Sequence, residues 1–167
     1  MATPQEWARG YARQALADLD AWQALAATDL AACQSLHFLQ MACEKLAKAH
    51  LCATGNDPAG LQTSHAFGAK QLPTIIRDEL TFEKVKSKLR QDILRYARGL
   101  AREIELLAPS VDSAGKRPDN CEYPWEDATG KLWVPVDYAF PVDQLLLHPH
   151  GFKVLKLIRR ATERLAA

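Results

Sequence analysis

Between Asp29 and Ala53 the chain reads DLAACQSLHFLQMACEKLAKAHLCA, apolar around most of a helical circumference. Leu36, Leu39, Cys43, Leu46 and Ala47 recur at the i, i+3, i+4 spacing of one helix face, and Phe38, Met41 and Ala42 form a second apolar strip beside it. A helix with so little polar surface must be covered by several neighbours, so the pattern predicts the central rod of a bundle. What stays polar is a narrow strip of Gln40, Glu44, Lys45 and Lys48.

The flanking patterns supply the neighbours. Thr3-Pro4-Gln5-Glu6 has the form of a capping box with proline at the first helical position, opening a helix whose inward stripe is Trp7, Tyr11, Ala15, Leu19, Trp22 and Leu25 or Ala26. Ala27-Thr28 turns it into the central rod, and the Gly, Asn and Pro residues between Ala53 and Gly60 close this first hairpin. Thr63 or Ser64 is placed to cap a shorter helix through Leu72, with Pro73 disturbing it and Ile75 and Ile76 anchoring an irregular stretch. From Phe82 to Leu107 an almost unbroken 3-4 rhythm through Val85, Leu89, Ile93, Tyr96, Leu100 and Ile104 predicts one long helix, ended at Pro109. A closing helix spans Phe152 to Leu165, with Phe152, Leu155, Ile158 and Leu165 inward.

Residues 110–150 lack this rhythm. Pro118, Pro124, Pro135, Pro141 and Pro149 would each break a helix interior, so an irregular flap is expected. Two aromatic runs, CEYPW from Cys121 and LWVPVDY from Leu132, flank EDATGK, which predicts a small β-hairpin with a glycine-containing turn. The expected fold is thus all-α: an up-and-down bundle of four main helices plus short ones, with a proline- and aromatic-rich hairpin or irregular flap before the last. At 167 residues and 48% hydrophobic, the chain fits one domain, residues 1–167, with a full core.

Neither a basic-plus-apolar leader nor an apolar run near the ~20 residues of a membrane span occurs, and a cytoplasmic protein with no membrane partner is expected. Cys33, Cys43 and Cys52 share one helix at spacings that build neither a zinc knuckle nor a C-x-x-C redox pair, and with Cys121 they read as reduced core residues. His148-Pro149-His150 fits a turn, with no further ligand at metal-binding spacing; no metal or cofactor is expected. Phosphate-cradling glycine loops and H-E-x-x-H are absent.

The net charge of +1 is uninformative, but its distribution is not. Between Lys84 and Arg102 seven cations face the single acid Asp92. At 100° per residue Lys84, Lys88, Arg95 and Arg102 fall within about 40° of one another, opposite the apolar stripe. They are a candidate phosphate-binding ridge. Lys153, Lys156, Arg160 and Arg164 make a second cationic set on the closing helix. The plain alternative for both is a solvated helix face. In the flap, Arg117, Asp119, Asn120, Glu122, Tyr123 and Trp125 mix charge with flat rings, which suits stacking a base and reading its edge, or equally a lid packed on the core.

The run FLQMACEKLAKAHL, followed by a turn and His65, resembles the HEPN superfamily of small prokaryotic helical proteins, whose long helices often read F-x-x-Q-x-x-x-E-K-x-x-K; Gln40, Glu44, Lys45 and Lys48 match it, and Phe38 stands one position nearer the Gln. The resemblance spans the first half of the chain and implies a helical bundle that commonly forms homodimers. It further implies non-enzymatic binding of nucleotide or RNA, or of a minimal nucleotidyltransferase partner. Together with the flap's charged and aromatic residues, it gives Glu44, Lys48, His65, Arg117, Asn120, Glu122, Tyr123 and Trp125 as candidate ligand-binding residues. The ribonucleases of that superfamily, many in toxin–antitoxin systems, carry an Arg followed after four to six residues by His. No His here has such an Arg, and six positions after Arg117 stands Tyr123, whose ordinary pKa of ~10 does not suit a near-neutral base. No catalytic residue is therefore assigned. A metal-independent toxin or defence ribonuclease using Arg117, Glu122, Tyr123 and His65 is the first alternative function, and an interaction protein without ligand the second.

Overall fold

A computed structural model describes residues 2–62, 68–109 and 117–167. The fold is all-α. Its described helices are α1 (Pro4–Ala26), α2 (Ala32–Ala53), α3 (Gly68–Phe82), α4 (Ser87–Leu106), α5 (Pro141–Leu147) and α6 (Pro149–Ala166). An antiparallel hairpin of β1 (Trp125–Glu126) and β2 (Leu132–Trp133) precedes the last two, with Trp125 opposite Trp133 and Glu126 opposite Leu132.

Local chemistry starts α1 where the sequence predicts. The Thr3 hydroxyl accepts the Glu6 N–H at 3.2 Å, and the Thr3 N–H donates to the Glu6 carboxylate at 2.6 Å, a complete capping box. Helix α2 packs against α1, α3, α4 and α6, with Leu36, Leu39 and Leu46 at most 1% exposed. It is the enclosed rod that its nearly unbroken apolar circumference demands. One core cluster gathers side chains from all six helices and reaches Cys121, Trp125 and Phe140 in the flap.

Three expectations need correcting. The rhythm from Phe82 onward does not belong to one helix. Phe82 ends α3 and is 66% exposed; Lys84 has φ +54°, in the left-handed region, and α4 starts afresh at Ser87. Apolar residues continue in phase across the turn, and a lysine in that conformation, at a cost of roughly 1–2 kcal/mol, carries no glycine signal to mark it. Lys84 therefore does not lie on α4. Secondly, α3 runs through Pro73 and on to Phe82, with Ile75, Ile76, Glu79 and Leu80 buried. The proline removes one N–H, the donor that would have met the Ala69 carbonyl, and the buried apolar face outweighs that loss.

Thirdly, residues 117–150 are less irregular than expected. Pro135 opens a short 3₁₀ turn, Pro141 opens α5 and Pro149 opens α6, where a proline's missing N–H has no helical partner to lose. Helix α6 consequently begins three residues before Phe152, which is 53% exposed and not inward. The hairpin packs as a lid: Trp125 is 8% exposed and lies perpendicular to Tyr138 with ring centres 4.9 Å apart, and Tyr138 in turn lies perpendicular to Phe140 at 5.0 Å.

Candidate functional site

The polar strip of α2 lies inside the protein. Gln40, Glu44 and Lys48 are 3%, 5% and 4% exposed, and they bond in a row. The Gln40 amide donates to one oxygen of Glu44 at 3.1 Å and the Lys48 ammonium to the other at 2.7 Å. The i, i+4 spacing of Glu44 and Lys48 would suit an exposed helix pair, but the rod is covered on this side too, and charges taken out of water persist because they satisfy each other. The space beside Gln40, Cys43, Glu44 and Glu105 is a cavity of about 10 Å³, room for about one water and not for a nucleotide. Lys45, at the edge of the same strip, reaches across to Asp18 of α1 at 2.5 Å. His65 falls outside the described residues.

The flap candidates separate into structural and exposed groups. Arg117 forms ion pairs with Asp119 at 2.9 Å and with Glu103 of α4 at 3.0 Å, and these two carboxylates hold its guanidinium further above its ordinary pKa. Its charge is compensated, and it ties the flap to α4. Asn120 is buried: its side-chain oxygen accepts the N–H groups of Glu122 and Tyr123 at 3.0 and 2.8 Å, and its amide donates to the Pro118 carbonyl. Trp125 is 8% exposed and lies perpendicular to Tyr138, as the lid reading of the flap has it. Tyr123 stays 60% exposed, and Glu122 stands 3.6 Å from Nδ1 of His37 on α2.

The hairpin turn is organised by Asp127. Its carboxylate accepts the Thr129 and Lys131 N–H groups, the Thr129 hydroxyl and the Trp133 indole N–H, and these bonds hold it well below the usual carboxylate range. That is turn-building chemistry.

The cations behave differently on the two helices. On α6, Lys153 pairs with Glu83 at 2.5 Å, Arg160 with Glu83 and with Glu79 at 3.8 Å, and Arg164 with Glu79 at 2.6 Å. Arg159 pairs with Asp20 at 2.8 Å. On α4, Lys88, Arg95, Arg98 and Arg102 are exposed, and none forms an ion pair among the described residues. Lys88, Arg95 and Arg102 lie seven residues apart, or roughly 10 Å along the axis. Lys84 and Lys86 extend the exposed charge at the α3–α4 turn rather than along the helix. Among these residues Gly99 is exposed, with nothing within 4 Å of the position its Cβ would take, so a bare patch of backbone lies between Arg95, Arg98 and Arg102.

Sequence reasoning counted Lys86 and Arg98 but did not select them, because they lie off the ideal ridge. It also missed that Glu79 and Glu83 would oppose the α6 cations; their i, i+4 spacing near the end of α3 is the available signal. All four cysteines are buried, and burial pushes the Cys43 and Cys121 thiols up to about 12, far from thiolate reactivity. No group of three metal-ligating side chains occurs among the described residues. Comparison with protein-family models, curated proteins and solved structures finds no match.

Proposed function

We propose that this chain is a HEPN-like, non-enzymatic module that binds the phosphate backbone of RNA along the outer face of α4. The observation that carries the reading is the row Lys88, Arg95 and Arg102, exposed and without ion pairs among the described residues, beside the open backbone at Gly99. Uncompensated cations release condensed counterions from a polyanion, whereas cations already held by carboxylates contribute little. Arg98 and the lysines of the α3–α4 turn widen the footprint. The same face would meet a free nucleotide through its phosphates. Pairing of two copies, and docking of a nucleotidyltransferase-type partner, belong to this proposal through the superfamily resemblance.

The test is fluorescence anisotropy with a labelled oligouridylate across a salt series. Affinity falls with rising salt, and the double variant Arg95→Gln/Arg102→Gln weakens binding and reduces the slope by about 1.4, at ~0.7 per lost single-strand phosphate contact. A flat salt response, or a double variant indistinguishable from the parent, removes the proposal. The ribonuclease alternative has its own readout in metal-independent cleavage of total RNA that Arg117→Ala abolishes. The engagement of Arg117 by Glu103 and Asp119 favours a structural role for that residue.

A further inference from the structure

A second feature lies elsewhere on the molecule and is independent of the α4 reading. Helix α1, the start of α2, α5 and α6 converge on a recess of about 660 Å³, within the ~300–1,000 Å³ of small-molecule sites. Leu19, Trp22, Leu36, Leu146 and Leu155 supply apolar wall. Leu30, Leu147 and Phe152, which also line it, are 58%, 67% and 53% exposed, a concentration of large apolar side chains in contact with water. The α5–α6 corner is built close: a Cβ on Gly151 would stand 2.1 Å from the Leu145 carbonyl oxygen, so only glycine lets α5 fold back onto the first turn of α6 and form this wall.

Charge singles out the guest. Two cations of α6 line the recess, Lys156 and Arg159. Arg159 is occupied, donating to Asp20 at 2.8 Å and to Gln23 at 3.0 Å. Lys156 is exposed and makes no ion pair among the described residues, unlike Lys153, Arg159, Arg160 and Arg164 on the same helix. The acid in the lining is Asp143, whose carboxyl burial holds above its ordinary pKa.

We propose that this recess binds a small amphiphile carrying one anionic group, its apolar body against Trp22 and Leu36 and its head at Lys156. Walls from four elements make a concave site suited to a compact guest, and the unpaired cation at an apolar wall matches a carboxylate or similar head group. The anion replaces the water now solvating Lys156, and its chain covers the exposed leucines and Phe152.

Calorimetric titration of the full chain with decanoate, decyltrimethylammonium and decanol, all below their micellar range, tests this. Decanoate binds saturably and at least roughly tenfold tighter than the cationic probe. Lys156→Glu, a change at an exposed position, reverses that order without altering the helical circular dichroism. Ala26→Trp, which fills the recess from α1, removes decanoate binding. Equal affinity for the three probes, or decanoate binding unchanged by Lys156→Glu, overturns the proposal. So does a dimer in light scattering that Phe152→Asp dissociates, because a second copy is then the occupant.

Discussion

Helices α4 and α6 carry much the same sequence device, an apolar stripe with cations opposite, yet the fold makes different surfaces of them. Helix α6 lies against α3, whose last turns carry Glu79 and Glu83, so Lys153, Arg160 and Arg164 close onto carboxylates, while Arg159 closes onto Asp20 of α1. Among the described residues no acid pairs with the outer side of α4 in this way, and Lys88, Arg95 and Arg102 keep their charge toward solvent. The lesson is that a run of lysines and arginines specifies a surface only together with what the fold sets across from it. Ion pairs consume cations as adhesive between helices; only the remainder is available to a ligand.

The largest expected effect tests the adhesive half. Glu79 is 2% exposed and receives both the Nε and Nη2 donors of Arg164 at 3.0 and 2.6 Å. Glu79→Ala removes these charge-assisted bonds and is expected to lower unfolding stability by about 2–3 kcal/mol in urea denaturation. A loss below about 0.5 kcal/mol would mean that the α6 array is solvated despite its geometry. Glu79→Gln/Glu83→Gln, by freeing Arg160, Arg164 and Lys153, should raise affinity for the oligouridylate above that of the parent. Should the rise fail to appear, α6 lies outside the footprint.

Gly99→Ala tests the open half. With nothing near the added methyl, it should stabilise α4 by roughly 0.5–1 kcal/mol, the helix-interior difference between glycine and alanine. Destabilisation would reveal something packed over the face. Smaller again is Lys153→Gln, which breaks one partly exposed ion pair to Glu83 and should cost about 0.2–1 kcal/mol, with oligouridylate binding unchanged.

What was legible in the sequence is what neighbours along the chain decide. The capping box at Thr3, the enclosed rod of α2 and the hairpin around Asp127 each rest on residues a few positions apart, and each stands where the pattern places it. The misses share a different cause. Pro135, Pro141 and Pro149 read as breakers because a proline's meaning depends on whether it falls inside a helix or at its first position. Lys84 hides a chain reversal because tertiary packing, not a glycine, imposes its positive φ. Gln40, Glu44 and Lys48 look like surface because polarity along one strand of sequence does not report the helices that later cover it. Of the candidate site, the α4 cations could be found by counting, whereas their freedom could not: it depends on acids from other elements being engaged elsewhere.

The finest probe of the contrast is His50, on α2 beside the α3–α6 array. Burial, its largest influence, lowers its pKa from the ordinary 6.5; Asp78 opposes this, and Arg164 and Arg77 add to it. A histidine whose folded-state pKa is depressed binds fewer protons folded than unfolded, so its effect on stability is absent above about 6.5 and becomes a loss as pH falls from there through the lowered value. Arg164→Gln should therefore raise the His50 pKa slightly, followed by its ring proton shifts in NMR titration, and lessen the acid-induced loss. If the titration of His50 does not move, Glu79 already cancels the field of Arg164 at that distance, and the α6 cations are neutral to their surroundings as well as to a ligand. If it does move, the array keeps a residual positive potential, and the difference between the two helices is one of degree, set by how closely each carboxylate approaches its guanidinium.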